Sequence, residues 1–302
     1  MAKNKLEKFK ENESFKCLFQ PTTDEVLRKD YKLKGKWGSE VFGNDNPIVL
    51  ELGCGKGEYT IDLAERNPSV NYIGIDIKGA RLWKGANYAT EHDLKNVIFI
   101  RTRIEFIESL FAQDEISEIW LTFSDPQIRR EKNRLTNPLF ITRYSNFLKK
   151  AGIIHLKTDS RYLYEYTKAM AEQNNLEILA YATDLYGEDH DKLYHSTLES
   201  VCGRDAIDAL FEVQTFYESQ YLAQDIKITY LAFTLESQQA FQEPLQDNAQ
   251  RISSVKPQKR NLSHKQKFIS PEWDEDRWKD ERHRFVIQSG LSVESKFYPS
   301  DE

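Results

Sequence analysis

Short apolar runs alternate with longer amphipathic segments through the middle of the chain. The apolar runs are rich in branched and aromatic residues, as buried strands are, and they fall at 47–52, 70–76, 96–101, 117–123, 152–158, 176–183 and 228–235. The amphipathic segments predict helices near 58–66, 79–92, 104–112, 138–150, 160–174 and 204–211. Strands that alternate with helices predict an α/β fold, in which helices cover a mostly parallel, seven-stranded sheet.

The two ends of the chain lack this alternation. Residues 1–45 are polar and lysine-rich with scattered aromatic side chains, and we predict a basic, partly flexible N-terminal arm. Residues 46–236 are predicted to form the folded domain. Residues 237–302 are a polar extension rich in Gln, Lys, Ser and Asp. One helix is predicted there over 271–285, because Ser270 precedes a proline at the first helical position.

Composition narrows the class of protein. The 302 residues are 39% hydrophobic and 30% charged, which is typical of a soluble globular protein. The chain has neither an apolar run long enough to span a membrane nor an apolar signal core at its N-terminus. Cys17, Cys54 and Cys202 form no C-x-x-C pair, which favours a reducing cytoplasm and argues against a structural zinc site. We expect no metal and no obligate protein partner, and both a monomer and a homodimer remain open.

Charge is unevenly distributed along the chain. The net charge of −6 is not the overall signature of a nucleic-acid-binding protein. However, nine basic residues fall within 127–161, where only Glu131 and Asp159 oppose them, and five more fall within 28–36 against Asp30. Such local basic surfaces are compatible with phosphate contacts, although an ordinary solvated face is the alternative for any one run.

A glycine-rich turn joins the first predicted strand to the helix that follows it. From Glu51 to Gly57 the sequence is E-L-G-C-G-K-G, and glycine lets a ligand approach the backbone closely. Dinucleotide sites use G-x-G-x-x-G, a different spacing, and Glu51 would repel a pyrophosphate. The carboxylate suits a ligand with an ammonium and a sulfonium, as S-adenosylmethionine (SAM) has. We therefore expect Glu51, Gly53 and Gly55 to bind SAM, the alternative being a turn that only packs helix on strand.

The second predicted strand ends in an acidic residue. Asp76 follows Gly53 by 76 − 53 = 23 residues, close to the interval of about 20 expected for a carboxylate that binds a ribose. A helix N-cap is the alternative role for Asp76. Ligands of open α/β sheets bind beyond the carboxyl ends of the strands. The acidic residues predicted to share that edge of the sheet are Glu51, Asp76, Asp125 and Asp159.

The fourth predicted strand ends in a further motif. Phe123-Ser-Asp-Pro126 is followed by a segment rich in arginine and lysine, residues 127–136, which we call the basic loop. Methyltransferases that act on adenine or cytosine amino groups usually have [DN]-P-P-[YFW] here. This chain has one proline instead of two, and Gln127 instead of the aromatic residue. At this point the chain resembles the tRNA (guanine-N7)-methyltransferase family, whose strand ends in [FS]-[PS]-D-P-W before Lys/Arg residues. The resemblance also rests on Leu50–Gly57, Gly74–Asp76, Arg134–Thr136, His155–Asp159 and Thr215–Glu218.

The resemblance covers roughly residues 47–236. It implies a class I SAM-dependent methyltransferase with a Rossmann-like fold, with SAM as cofactor and tRNA as partner. The reaction implied is methylation at N7 of guanosine 46 in the tRNA variable loop. Glu51 and Asp76 would hold the methionine end and the ribose of SAM, and Asp125 would be catalytic and would also contact the cofactor. The substrate contacts implied by the family are Arg129, Asp159, Thr215, Phe216, Tyr217 and Glu218.

Two positions depart from the family pattern. Gln127 stands where the family has tryptophan. Arg103 stands where the family has a carboxylate near the adenine of SAM, so Glu105 or backbone groups are the alternatives for that contact. The chemistry of guanine N7 agrees with the family, because this nitrogen has a free lone pair and no proton to remove. A SAM-dependent methyltransferase of another substrate and a non-catalytic RNA-binding subunit remain as alternatives.

Overall fold

One mixed sheet forms the centre of the fold. The computed structural model describes residues 4–235 and 240–244. Its strands are β1 (Leu18–Phe19), β2 (Ile48–Leu52), β3 (Asn71–Asp76), β4 (Val97–Arg101), β5 (Ile116–Thr122), β6 (Leu148–Thr158), β7 (Ile178–Ala182) and β8 (Thr229–Leu235). They are hydrogen-bonded in the order β1-β4-β3-β2-β5-β6-β8-β7, and only β8 runs antiparallel to its neighbours. The predicted mostly parallel α/β sheet is confirmed, with eight strands in place of the expected seven.

Helices cover both faces of this sheet. Buried apolar side chains form two clusters, one on each face of the sheet. Consecutive residues of a strand point to opposite faces, and in β2 Leu50 belongs to one cluster and Val49 to the other. The helices are α1 (Lys5–Asn12), α2 (Thr23–Val26), α3 (Glu58–Arg66), α4 (Gly79–Glu91), α5 (Ile107–Leu110), α6 (Pro138–Ser145), α7 (Arg161–Gln173), α8 (His190–Leu193), α9 (Thr197–Cys202), α10 (Arg204–Glu212) and α11 (Phe216–Leu222).

Some predicted helix bounds are wrong. The helix predicted over 138–150 ends at Ser145, because Leu148 already pairs with Ile116 in the sheet. The helix predicted near 104–112 is a 3₁₀ turn followed by the single turn α5. The sequence pattern also misses α1, which falls in the segment predicted as an arm, and the short helices α2, α8, α9 and α11, which are too brief to show a helical period.

The N-terminal segment, predicted as a partly flexible arm, packs against the sheet over much of its described length. Leu18 pairs with Phe99, so β1 is the additional strand at one side of the sheet. Trp37 is fully buried, donates from its indole nitrogen to the Leu110 carbonyl at 2.8 Å, and stacks on Tyr31. The aromatic residues of this segment are therefore anchors, while the division of the chain at residue 45 stays a prediction.

Three further sequence predictions concern the C-terminal helix, membrane-spanning segments and the cysteines. The helix predicted over 271–285 lies outside the described residues. Within 4–235 and 240–244, no helix combines the length and the apolar character needed to cross a bilayer. Cys17, Cys54 and Cys202 carry free thiols.

Candidate active site

A cavity of about 620 Å³ opens at the carboxyl ends of the central strands. Its volume is within the range of about 300–1,000 Å³ that is usual for small-molecule sites. Gly53 follows β2, Asp76 ends β3, Thr102 follows β4 and Asp125 follows β5, and all four residues line it. In the sheet, β2 is followed outward by β3 and β4, and its other neighbour β5 is followed in the opposite direction by β6. The cavity therefore lies at the topological switch point, where ligands of open α/β sheets bind.

The three glycines of the turn after β2 have different surroundings. Gly53 and Gly55 have φ angles of +79° and +61°, in the left-handed region that favours glycine. A Cβ on either residue would meet no atom within 4 Å, so the absent side chain of Gly53 leaves open space at the cavity wall. A Cβ on Gly57 would lie 2.5 Å from the Phe99 ring. Both interpretations of the turn therefore apply: the first two glycines leave room for a ligand, and the third allows close packing.

Asp76 braces this turn and also faces the cavity. One of its carboxylate oxygens accepts the Gly55 N–H at 3.0 Å, and the other accepts the Lys78 N–H at 2.7 Å. A carboxylate offers about four acceptor positions, so two remain for ligand hydroxyls. The N-cap residue of α4 is Lys78, so a simple capping role does not account for Asp76.

Glu51 lies behind the turn and does not line the cavity. It is buried, and its two oxygens accept hydrogen bonds from the hydroxyls of Thr60 and Thr122. Burial raises the pKa of Glu51 to about 7, although both hydroxyls oppose the shift. The carboxyl group therefore titrates near neutral pH, and its direct contact with a cofactor stays a prediction.

Asp125 lies in a loop with unusual backbone angles. Phe123 and Gln127, on either side of it, both have a φ of +50°. Left-handed angles at bulky residues are uncommon and cluster at functional sites. The exposed Asp125 carboxylate accepts the Gln127 N–H at 2.9 Å, and both residues line the cavity. The structure thus brings Asp76 and Asp125 to one cavity, as the strand ends predicted.

Asp159 lies in the same region but away from the cavity wall. It directly follows β6 and is buried at 5% exposure. Helix α7 is capped by the next residue, Ser160, whose hydroxyl accepts the Leu163 N–H at 3.2 Å. A cap for α7 therefore does not explain Asp159, and its contact with substrate stays a prediction.

The Thr215–Glu218 motif starts helix α11. Thr215 is the N-cap, and Glu218 completes a capping box by accepting the Thr215 N–H at 3.3 Å. Glu218 is fully buried and pairs with Lys157 at 2.8 Å, while Phe216 is also buried. Of the four residues of this motif, Tyr217 alone lines the cavity.

An aromatic wall completes one side of the cavity. It consists of Phe123, Tyr217 and Tyr221, and the rings of Phe123 and Tyr221 lie 5.9 Å apart. Sequence reasoning found Tyr217 but missed Tyr221. The spacing of four residues between the two tyrosines is the signal that could have found it, because i and i+4 share one helix face.

The basic loop divides into exposed and buried residues. Arg129, Arg130 and Lys132 are exposed. Arg134 is only 1% exposed, donates to the Pro126 carbonyl at 3.0 Å, and lies on an aromatic ring of α7. The exposed residues are available to a partner, whereas Arg134 holds the loop in place.

Beside β4, the cavity is lined by a salt bridge that includes Arg103, the residue at the position where the family has a carboxylate. Arg103 and Glu105 both line the cavity, and their side chains are 3.1 Å apart. Burial is the largest single influence on the pKa of Glu105 and would raise it, but the hydrogen bond and the charge of Arg103, with smaller contributions from a backbone N–H and Arg143, together lower the pKa. Glu105 therefore presents an ionised carboxylate here. No group of three or more potential metal ligands is assembled among the residues that the structure describes.

The strand order with antiparallel β8, the glycine turn after β2 and the acidic end of β3 define a class I SAM-dependent methyltransferase fold. A family model described as a putative methyltransferase matches residues 45–204. The chain is 50% identical over 237 residues to a tRNA (guanine-N(7)-)-methyltransferase of Christiangramia forsetii, covering 78% of this chain and 99% of that protein. It is 46% identical over 244 residues to the enzyme of that name from Bacteroides thetaiotaomicron, covering 81% and 90%. The chain belongs to the tRNA (guanine-N7)-methyltransferase family.

Proposed function

We propose that this protein transfers the methyl group of SAM to N7 of guanosine 46 in the variable loop of tRNA. The observation that supports this most is the placement of Asp76 and Asp125 on one cavity, next to the open side of the glycine turn. The basic loop begins two residues after Asp125, where a nucleic-acid substrate needs cationic side chains. The names of the relatives supply the atom and the RNA class.

The residues around the cavity fit SAM. Asp76 has free acceptor positions for the ribose hydroxyls, and Gly53 leaves space at the wall. Glu105 offers a carboxylate on the adenine side. Glu51, behind the turn, has a pKa of about 7, and a positively charged methionine end beside it would favour its ionised form. When bound, SAM supplies an electrophilic methyl group on a sulfonium.

Asp125 is the proposed catalytic residue. Guanine N7 has a lone pair and no proton, so no general base is required, and the protein contributes positioning and electrostatics. The guanine ring gains positive charge as N7 is methylated. The Gln127 N–H holds the Asp125 carboxylate in one orientation, so its negative charge is in place before the reaction. A preorganised charge of this kind stabilises the transition state without reorganisation.

The aromatic wall is the proposed platform for the target base. Bases that are taken out of an RNA structure are commonly stacked on aromatic side chains. Phe123 precedes Asp125 by two residues, its ring packs against Tyr221, and Tyr217 lies one helical turn from Tyr221 on the same cavity. Arg129 and its exposed basic neighbours are proposed to contact phosphates outside the cavity.

The direct test is incubation of the protein with labelled SAM and an unmodified tRNA transcript, followed by nucleoside analysis. We expect 7-methylguanosine as the labelled product, and none from a matched transcript in which guanosine 46 is replaced by adenosine. Labelled 7-methylguanosine from both transcripts would refute the assigned position. Binding of SAM without labelling of any RNA would refute tRNA methylation.

A further inference from the structure

Lys157 lies in β6 with its ammonium group fully buried. Three acceptors are within 3.0 Å of this nitrogen: the Leu210 carbonyl at 2.7 Å, the Val213 carbonyl at 3.0 Å and the Glu218 carboxylate at 2.8 Å. An ammonium group has three N–H donors, so each proton has a short partner. Burying a charge is strongly unfavourable unless the geometry compensates for it. This arrangement therefore specifies the relative positions of the groups that Lys157 joins.

The three acceptors connect two consecutive helices. Leu210 belongs to the last turn of α10, where carbonyls lack partners within the helix, and a lysine there also interacts favourably with the helix dipole. Glu218 is the third residue of α11 and closes its capping box with Thr215. Lys157 thus fixes the end of α10, the start of α11 and the short turn between them.

Another face of α11 lines the cavity. Tyr217 and Tyr221 are one turn apart, and both contribute to the aromatic wall. The start of α11 is also tied to the glycine turn, because the Phe216 N–H donates to the carboxylate of Glu58, the first residue of α3, at 3.0 Å. The position of the two tyrosines therefore depends on Lys157 on one side and on the glycine turn on the other.

We propose that Lys157 is a positioning residue for methyl transfer. Through Glu218 it holds α11 so that Tyr217 and Tyr221 receive the target base, and it does not touch the substrate. Glu218 acts in the same way, from the buried side of the helix. The inference rests on the proposed function and deepens it, since it assigns the substrate side of the cavity to aromatic side chains.

The test uses a variant in which both buried charges are removed. Lys157→Met alone leaves Glu218 buried without its charged partner, whereas Lys157→Met with Glu218→Gln avoids that penalty. The matched control is His155→Phe, two residues earlier on the same strand. His155 is also buried, bonds the Tyr230 hydroxyl at 2.7 Å and lies 3.2 Å from the Glu118 carboxylate. The control therefore loses two polar contacts of β6, and neither of them involves α11.

We expect faster hydrogen exchange of the backbone amides of residues 214–222 in the double variant, and unchanged exchange of that segment in the control. We expect kcat/KM for tRNA to fall by about tenfold or more in the double variant, and to stay within about threefold in the control. On a Tyr217→Ala background the same double change should lower kcat/KM by less than about threefold, because contacts that act through one group are not additive.

An equal loss on the wild-type and Tyr217→Ala backgrounds would overturn the inference, as would an equal loss in the control. Unchanged hydrogen exchange of residues 214–222 would also overturn it. Absence of tRNA methylation by the wild-type protein would refute the proposed function instead, and the exchange measurement would still decide whether Lys157 fixes α11.

Discussion

Replacement of Asp76 by alanine removes a carboxylate that bonds the glycine turn and lines the cavity. Asp76 is 8% exposed, and two backbone N–H groups hold its oxygens in place, so little freedom is lost when a ligand binds. Loss of a charge-assisted hydrogen bond to a ribose hydroxyl costs about 1–3 kcal/mol. We therefore expect the Kd for SAM to rise by about 5- to 150-fold, since each 1.4 kcal/mol is about a factor of ten.

The assay is isothermal calorimetry with SAM, together with thermal unfolding of the ligand-free variant. Asp45→Ala is the matched control, because it removes the same charge from an exposed site before β2, at the opposite end of the strand from the cavity. We expect the control to bind SAM as the wild type does. An Asp76→Ala variant that unfolds at a lower temperature but binds SAM with wild-type affinity would refute the reasoning, since Asp76 would then only brace the turn.

Three further predictions test other parts of the site. Replacing Arg129 and Arg130 with alanine should weaken tRNA binding and lower the slope of log K against log salt by up to about 2 without changing SAM affinity, and an unaltered slope would contradict this. Asp125→Asn should lower kcat by roughly 10²–10³ in single-turnover methylation with saturating tRNA and SAM, and wild-type chemistry would exclude Asp125 from the mechanism. The folded-state pKa of Glu51 is raised from 4.5 to about 7, so folding favours its protonated form. Wild-type stability should therefore fall relative to Glu51→Gln by up to about 3 kcal/mol as the pH rises through this window, and parallel denaturation profiles of the two proteins would contradict it.

Local patterns predicted the central strands and placed Asp76 and Asp125 at one edge of the sheet. This worked because a strand and its end are visible in neighbouring residues. The N-terminal segment was harder, since Leu18 becomes part of a strand only by pairing with Phe99, far along the chain. Glu218 shows a related difficulty. Its type suggests an exposed residue, and its full burial is explained by tertiary contacts with Lys157 and with the Tyr186 hydroxyl.

The contacts that anchor the basic loop are separate from its exposed basic residues. Just before the loop, the Phe123 N–H donates to the Lys157 carbonyl at 2.8 Å, and near the far end of the loop the buried Arg134 donates back to the Pro126 carbonyl. Arg129 and Lys132 lie between these two anchors and contribute to neither of them. We therefore expect substitution of Arg129 or Lys132 to change the affinity for RNA while the anchors and the Gln127 N–H that holds Asp125 stay in place. In a loop built in this way, the preference for RNA can change through the exposed residues while the position of the proposed catalytic carboxylate is kept.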